Sequence, residues 1–189
     1  MEDLSLHLLD VAENSLAAQA TRVIITLEIN TANKTLRLII EDNGQGMDKE
    51  TLKKAVDPFF TTKKTRRIGL GLSLLAQAAH ATGGQFSIES KPGQGTKVST
   101  LFYTDHWDFK PLGDIPQTLL TLVLGHPEVE LIFIYRRDDK ETIFSTKEVK
   151  AKLNGLPLNS PAAIPLIMNH INKAMNLYCL LYTSPSPRD

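Results

Sequence analysis

The feature that most narrows what this chain can become is a pair of β-rich runs, residues 23–29 and 35–41, separated by a polar turn at 30–34. The second run leads straight into Asp42-Asn43-Gly44-Gln45-Gly46-Met47-Asp48. Branched and large apolar residues predict a strand hairpin, and the two glycines predict a loop that turns sharply off its end. Ahead of the hairpin, residues 4–20 read as a helix. Leu4, Leu8, Leu9, Val11, Ala12 and Leu16 share one arc, with His7, Asp10 and Asn14 opposite and Glu13 at the edge. After it come a short helix over 49–56, a loop over 57–70 and a helix over 71–82. Strands over 85–90 and 96–103 follow, joined at Pro92-Gly93.

The pattern breaks over 104–113, so the expected organisation is a first unit over 1–104 and a linker over 105–113. A small α+β module of unknown role would occupy 114–178. In that module Asp114 and Gln117 form a capping pair, and a hairpin turns about Asp138-Asp139-Lys140. Ser145 and Glu148 have capping-box spacing, and Ser160-Pro161 caps the last helix. Trp107 is expected to pack between the two units. The Ser/Pro-rich stretch 179–189 follows no periodic pattern, resembles translated adapter sequence, and is left out of the fold.

Composition removes several classes of function. The 189 residues hold 21 Lys+Arg and 21 Asp+Glu, which argues against bulk attraction to nucleic acid or an anionic membrane. One cysteine, Cys179, excludes a disulfide framework and a cysteine zinc site, and the five histidines are too scattered for a metal cluster. Apolar runs such as 131–135 are far shorter than the ~20 residues of a membrane span. No basic-then-apolar secretory pattern opens the chain, and the expected location is the cytoplasm.

Four short motifs carry chemistry. Asp10 and Asn14, four apart on a helix, project side by side; the amide oxygen is a hard ligand for a hydrated divalent cation, and the carboxylate can orient or deprotonate an attacking group. Asp42 can accept a hydrogen bond from an exocyclic amino group, which selects adenine over guanine, while Gly44 and Gly46 let the backbone approach a flat ligand. Gly69-Leu70-Gly71-Leu72 opens a helix whose free N–H groups suit phosphates, just after the cations Lys63, Lys64, Arg66 and Arg67. Gly93-Gln94-Gly95-Thr96 places a hydroxyl at the start of a strand, within reach of a base edge or a bridging water. Taken singly, each has a plainer reading: a solvated helix face, an Asx-Gly turn, a polar loop, a tight turn.

In this order the motifs resemble the ATP-binding domain shared by gyrase, histidine kinases and MutL, the GHKL superfamily with its Bergerat fold. The resemblance covers about residues 4–104. Asp57-Pro58-Phe59-Phe60-Thr61-Thr62-Lys63 followed by Gly69-Leu70-Gly71-Leu72 looks most like sensor histidine kinases, whereas Glu13-Asn14-Ser15-Leu16 with Ala20-Thr21-Arg22 looks like MutL. The resemblance implies an α/β (α+β) two-layer sandwich, a mixed β-sheet with helices on one face, binding ATP and Mg2+. By position it implies Asn14 as the Mg2+ ligand, Asp42 as the adenine reader, Gly44 and Gly46 along the base pocket, and Gly69 and Gly71 at the phosphates. Met47, Phe60, Lys63, Leu70, Leu72 and Thr96 complete the expected nucleotide contacts. Asp10 stands where hydrolysing members place a Glu general base, shorter by one methylene, with Glu13 as a second candidate.

The first helix begins almost at Met1, leaving no room for a dimerising hairpin with a phosphoacceptor histidine. None of His7, His80, His106, His126 and His170 precedes an acidic residue. The expectation is therefore a histidine-kinase-like kinase of two-component signalling that passes phosphate to a partner protein in trans. A MutL-like ATP-hydrolysing switch and a non-catalytic nucleotide sensor are the alternatives. The expected partners are ATP and a phosphoacceptor or regulated complex, with neither nucleic acid nor membrane; a homodimer is left open.

Overall fold

A computed structural model describes residues 3–56 and 70–175. Helix α1 (Leu4–Ala17) starts where the Asp3 carboxylate accepts the Leu6 N–H at 3.0 Å. Strands β1 (Arg22–Asn30) and β2 (Thr35–Asp42) form the expected hairpin, and α2 (Lys49–Val56) and α3 (Leu70–Ala81) follow. Next come β3 (Gln85–Lys91), β4 (Gly95–Tyr103), α4 (Ile115–Gly125), β5 (Glu130–Arg137) and β6 (Lys140–Ser145). The described chain closes with α5 (Thr146–Lys152), a single 3-10 turn (Pro161–Ala163) and α6 (Ile164–Ala174).

The six strands make one sheet in the order β3-β4-β2-β1-β5-β6. All neighbours are antiparallel except β1 and β5, which run parallel from Arg22↔Glu130 to Ile29↔Arg137. Alternation decides the faces. Val23, Ile25, Leu27, Leu36, Leu38, Ile40, Leu131, Phe133 and Tyr135 are buried beneath the helices, whereas Ile24, Ile39, Ile132 and Ile134, on the other face, are only half-buried. The mixed sheet with a helical layer is the expected fold class.

The expected division of the chain meets a sheet that ignores it. Strand β5, from the expected second module, pairs with β1 in the first. Leu4 and Leu8 of α1 share one core with Leu119 and Val123 of α4. Residues 105–113 do not hang free. Leu4 donates its N–H to the Pro111 carbonyl at 2.9 Å, Leu112 is buried, and Phe109 meets Phe102 edge-on at 6.2 Å. Trp107 does not pack between units; it is 91% exposed. Ser160 does not cap the last helix either, since its buried hydroxyl has no hydrogen-bond partner among the described residues and the first turn is 3-10. Asp114, by contrast, does cap α4, accepting the Gln117 N–H at 3.0 Å.

Candidate functional site

Two of the residues singled out in the sequence, Asp42 and Thr96, meet where β2 finishes, and Ser15 of α1 bonds to Asp42 there. Asp42, the last residue of β2, is half-buried and held from three sides. Its Oδ1 accepts the Gly44 N–H at 2.8 Å and the Thr96 N–H at 3.2 Å, and its Oδ2 accepts the Ser15 hydroxyl at 2.7 Å. A carboxylate offers about four acceptor positions. Among the described residues three are taken, and the one left is on Oδ2. One oxygen builds the Asx turn and also holds the Thr96 N–H, and the other keeps one acceptor position beside the Ser15 hydroxyl.

The loop after Asp42 is threaded between two neighbours, which explains its glycines. Gln45 donates to the Ala18 carbonyl at 2.9 Å and accepts the Gly93 N–H at 2.7 Å, bridging the end of α1 to the β3–β4 turn. Gly46, at φ +66°, lies so close to the Lys91 carbonyl that a Cβ would be driven into it. Gly95, at φ +87°, stands in the same relation to the Asp42 carbonyl. Buried Gly44 lies against Ala18. The Met47 N–H donates to Ser90 Oγ at 2.8 Å, and Ser90 Oγ lies 2.9 Å from Thr96 Oγ1. Thr96 thus acts on Asp42 through its backbone, while its hydroxyl joins the Ser90–Met47 chain.

Asp10 and Asn14 project from the adjoining turns of α1, Asp10 exposed and Asn14 half-buried. Among the described residues neither side chain has a hydrogen-bond partner. Asp10 lies against the first turn of α3: a Cβ on Gly71 would sit 3.0 Å from Asp10 Cβ and 3.4 Å from its Oδ2. Gly71 therefore makes room for Asp10 as well as keeping the helix start clear. Leu72 is 5% exposed, its side chain committed to the core, so only its backbone can face a ligand. Glu13 turns away from Asn14, its Oε2 3.6 Å from His126 Nε2. Phe60, Lys63 and Gly69 lie outside the described residues, as does the side chain of Leu70.

His7 is no part of the polar face. It is buried, with Nδ1 unpartnered among the described residues, and burial pushes its imidazole below the usual 6.5 against the pull of the Asp10 and Asp3 carboxylates. Two residues that sequence reasoning passed over belong to the site. Ser15 stands on the core arc of α1, where a buried hydroxyl amid Val11 and Ala12 is the signal that it serves a partner. Ser90, one residue before the end of β3, carries no comparable mark.

Residues 2–105 match the family described as Histidine kinase-, DNA gyrase B-, and HSP90-like ATPase. The chain belongs to this ATPase family. Its relatives include sensor kinases. FleS of Pseudomonas aeruginosa is 39% identical over 88 residues, which are 47% of this chain and 22% of FleS. The histidine-protein kinase AtoS of Escherichia coli is 35% identical over 101 residues, 53% of this chain and 16% of AtoS. The chain thus spans less than a quarter of the length of these relatives. Among solved structures, the Aquifex aeolicus MutL ATPase domain complexed with ADP aligns with a TM-score of 0.52 at 20% identity, over 82% of this chain and 70% of that one. The N-terminal domain of a DNA repair protein aligns with 0.55 at 13%, over 92% and 56%. Both share the fold of this GHKL ATPase.

The open acceptor at the end of β2 is the chemically distinctive feature of this site. The spare position on Asp42 Oδ2 fits an amino group of a base. No group of three or more His, Cys, Asp or Glu among the described residues could hold a metal alone. No described helix is long and apolar enough to cross a membrane.

Proposed function

We propose that this GHKL ATPase binds ATP with Mg2+ at the end of β2 and passes the γ-phosphate to a partner protein, in the manner of a histidine-kinase catalytic domain. The observation that carries the reading is the Asp42 carboxylate, fixed by Ser15, Gly44 and Thr96 with one acceptor position open. Asp42 selects adenine because guanine would face that acceptor with a carbonyl, leaving a polar group unpaired at a cost of about 1–3 kcal/mol. Gly44, Gly46 and Met47 line the base, and Thr96 steadies its reader. Asn14 supplies the protein oxygen for Mg2+, which when bound neutralises phosphate charge. The N–H groups at the start of α3, at Leu70, Gly71 and Leu72, receive the phosphates, and Gly69, Lys63 and Phe60, outside the described residues, complete the proposed nucleotide contacts. Catalysis by this set is positioning and charge neutralisation, the main demand of phosphoryl transfer.

Asp10 supports a second reading, ATP hydrolysis driving a conformational switch. Its carboxylate is exposed, unpartnered among the described residues, and beside the first turn of α3. There it can orient or deprotonate a water.

Calorimetry of the full chain with Mg·ATP, followed by incubation with γ-labelled ATP and cell extract, separates these readings. Expected are ATP binding that Asp42→Ala abolishes while the fold stays intact, and label on an extract protein. Binding unchanged by Asp42→Ala overturns the site. Release of inorganic phosphate that Asp10→Asn suppresses, with no labelled protein, replaces transfer with the switch. Binding with neither product leaves a nucleotide sensor in place of both.

A further inference from the structure

Trp107 is the only tryptophan in the chain and is 91% exposed, although its ring is among the largest apolar surfaces a protein can bury. It stands on the crossover from β4 to α4, its ring edge-on to His106 at 6.3 Å. Residues on either side of it, Thr104 and Phe109, line a cleft of about 290 Å3. Ile29, Leu36 and Leu112 supply its apolar wall and Lys34 its charged edge. That volume lies just under the range of about 300–1,000 Å3 usual for small-molecule pockets, and it suits one large side chain. The indole is beside this cleft and not in it.

We infer that this face pairs with the same face of a second copy of the chain, Trp107 of each copy entering the cleft of the other. A knob and a hole on one surface are what a closed two-fold interface requires, because each copy must offer both halves of the contact. The charges agree. Trp107 is flanked by exposed Asp105 and Asp108, and the cleft edge carries Lys34, whose side chain is 63% exposed and 3.2 Å from Asp105 of its own copy. Docking lets each Lys34 exchange the Asp105 of its own copy for the acidic flank of the opposite knob, so the ion pair is kept across the seam. An exposed tryptophan entering an apolar pocket is also the residue type that dominates small interfaces. The cleft lies where β1 ends and β2 begins, at the opposite end of the hairpin from Asp42. The pairing therefore needs no nucleotide and leaves that site open.

Analytical ultracentrifugation of the full chain without nucleotide tests this, from about 1 to about 300 µM, the range in which small interfaces associate. Tryptophan emission is read on the same samples. Expected is a reversible dimer whose formation moves the emission to shorter wavelength in step. Trp107→Ala, which removes the knob, and Thr104→Arg, which fills the hole, should each stay monomeric with unchanged thermal unfolding. A chain that stays monomeric throughout overturns the inference. So does a dimer that survives either substitution or keeps solvent-exposed emission. Short-wavelength emission from the monomer also overturns it, because the indole then occupies its own cleft.

Discussion

The hydroxyl of Ser15 carries one hydrogen and has two acceptors near it, Asp42 Oδ2 at 2.7 Å and the Val11 carbonyl at 3.4 Å. The shorter contact is charge-assisted and wins. It leaves Oδ2 with a single acceptor direction, so Ser15 settles where the carboxylate can receive a base. In Ser15→Ala that oxygen gains a second free position and the carboxylate loses one of its three restraints. We expect ATP affinity to fall about five- to tenfold, the equivalent of about 1–1.5 kcal/mol for one hydrogen bond. The melting temperature should move little, because water can replace the hydroxyl at a half-buried group. Calorimetric titration with ATP measures this, and an unchanged affinity would remove Ser15 from the site. The partner of Ser15 was not legible in the sequence, although a hydroxyl on the core arc of α1 calls for one: the bond to Asp42 exists only once α1 lies across the end of β2. The place of Asp42 at a strand end, turning onto Gly44, was legible, because Asp-x-Gly-x-Gly after a β-rich run is a local pattern.

At the scale of elements, the site depends on how tightly the β3–β4 turn is pressed onto the end of β2. Gly93 and Gly95 both have left-handed backbones, at φ +72° and +87°, and they differ in surroundings. Among the described residues nothing lies within 4 Å of a Cβ placed on Gly93, whereas one on Gly95 collides with the Asp42 carbonyl. Gly93→Ala should therefore cost only the backbone strain of about 1–2 kcal/mol. Gly95→Ala adds a displacement of Asp42 and should cost about 2–4 kcal/mol in all, lowering the melting temperature by about 5–15 °C. The clearer contrast is in ligand binding: Gly93→Ala keeps ATP and Gly95→Ala loses it. Thermal unfolding and titration of both variants, side by side, check this. Equal binding by the two would mean that the turn does not brace Asp42. Elements such as α1 and the β1–β2 hairpin were readable because their periodicities are local. The path of residues 105–113 was not, since its hold on the body consists of separate tertiary contacts: Leu4 to Pro111, Phe109 on Phe102, and Leu112 in the core.

At the scale of the molecule, the family match ends at residue 105 and the fold does not. The hairpin β1–β2 is central in the sheet because β5 covers the outer edge of β1. No sequence pattern announces this pairing, which joins residues more than a hundred positions apart and shows only when the chain is folded. Removing everything after residue 105 would leave β1 as an edge strand with its N–H and C=O groups unpaired, an invitation to association. It would also strip α4 from α1, uncovering Leu4 and Leu8, which are now 2% and 0% exposed. Uncovering a large aliphatic side chain costs about 1.5–3 kcal/mol, and a domain's whole stability is about 5–15 kcal/mol. The two leucines alone would thus consume a large part of it, before the loss of Leu131, Phe133 and Tyr135 from the shared core. A fragment of residues 1–105 should therefore be aggregated or lack a cooperative thermal transition, where residues 1–175 unfold cooperatively. Circular dichroism melts and size-exclusion chromatography of the two fragments measure this. A monomeric 1–105 that melts cooperatively and binds ATP would show that the first half folds unaided, with β5 and α4 as additions to a finished domain.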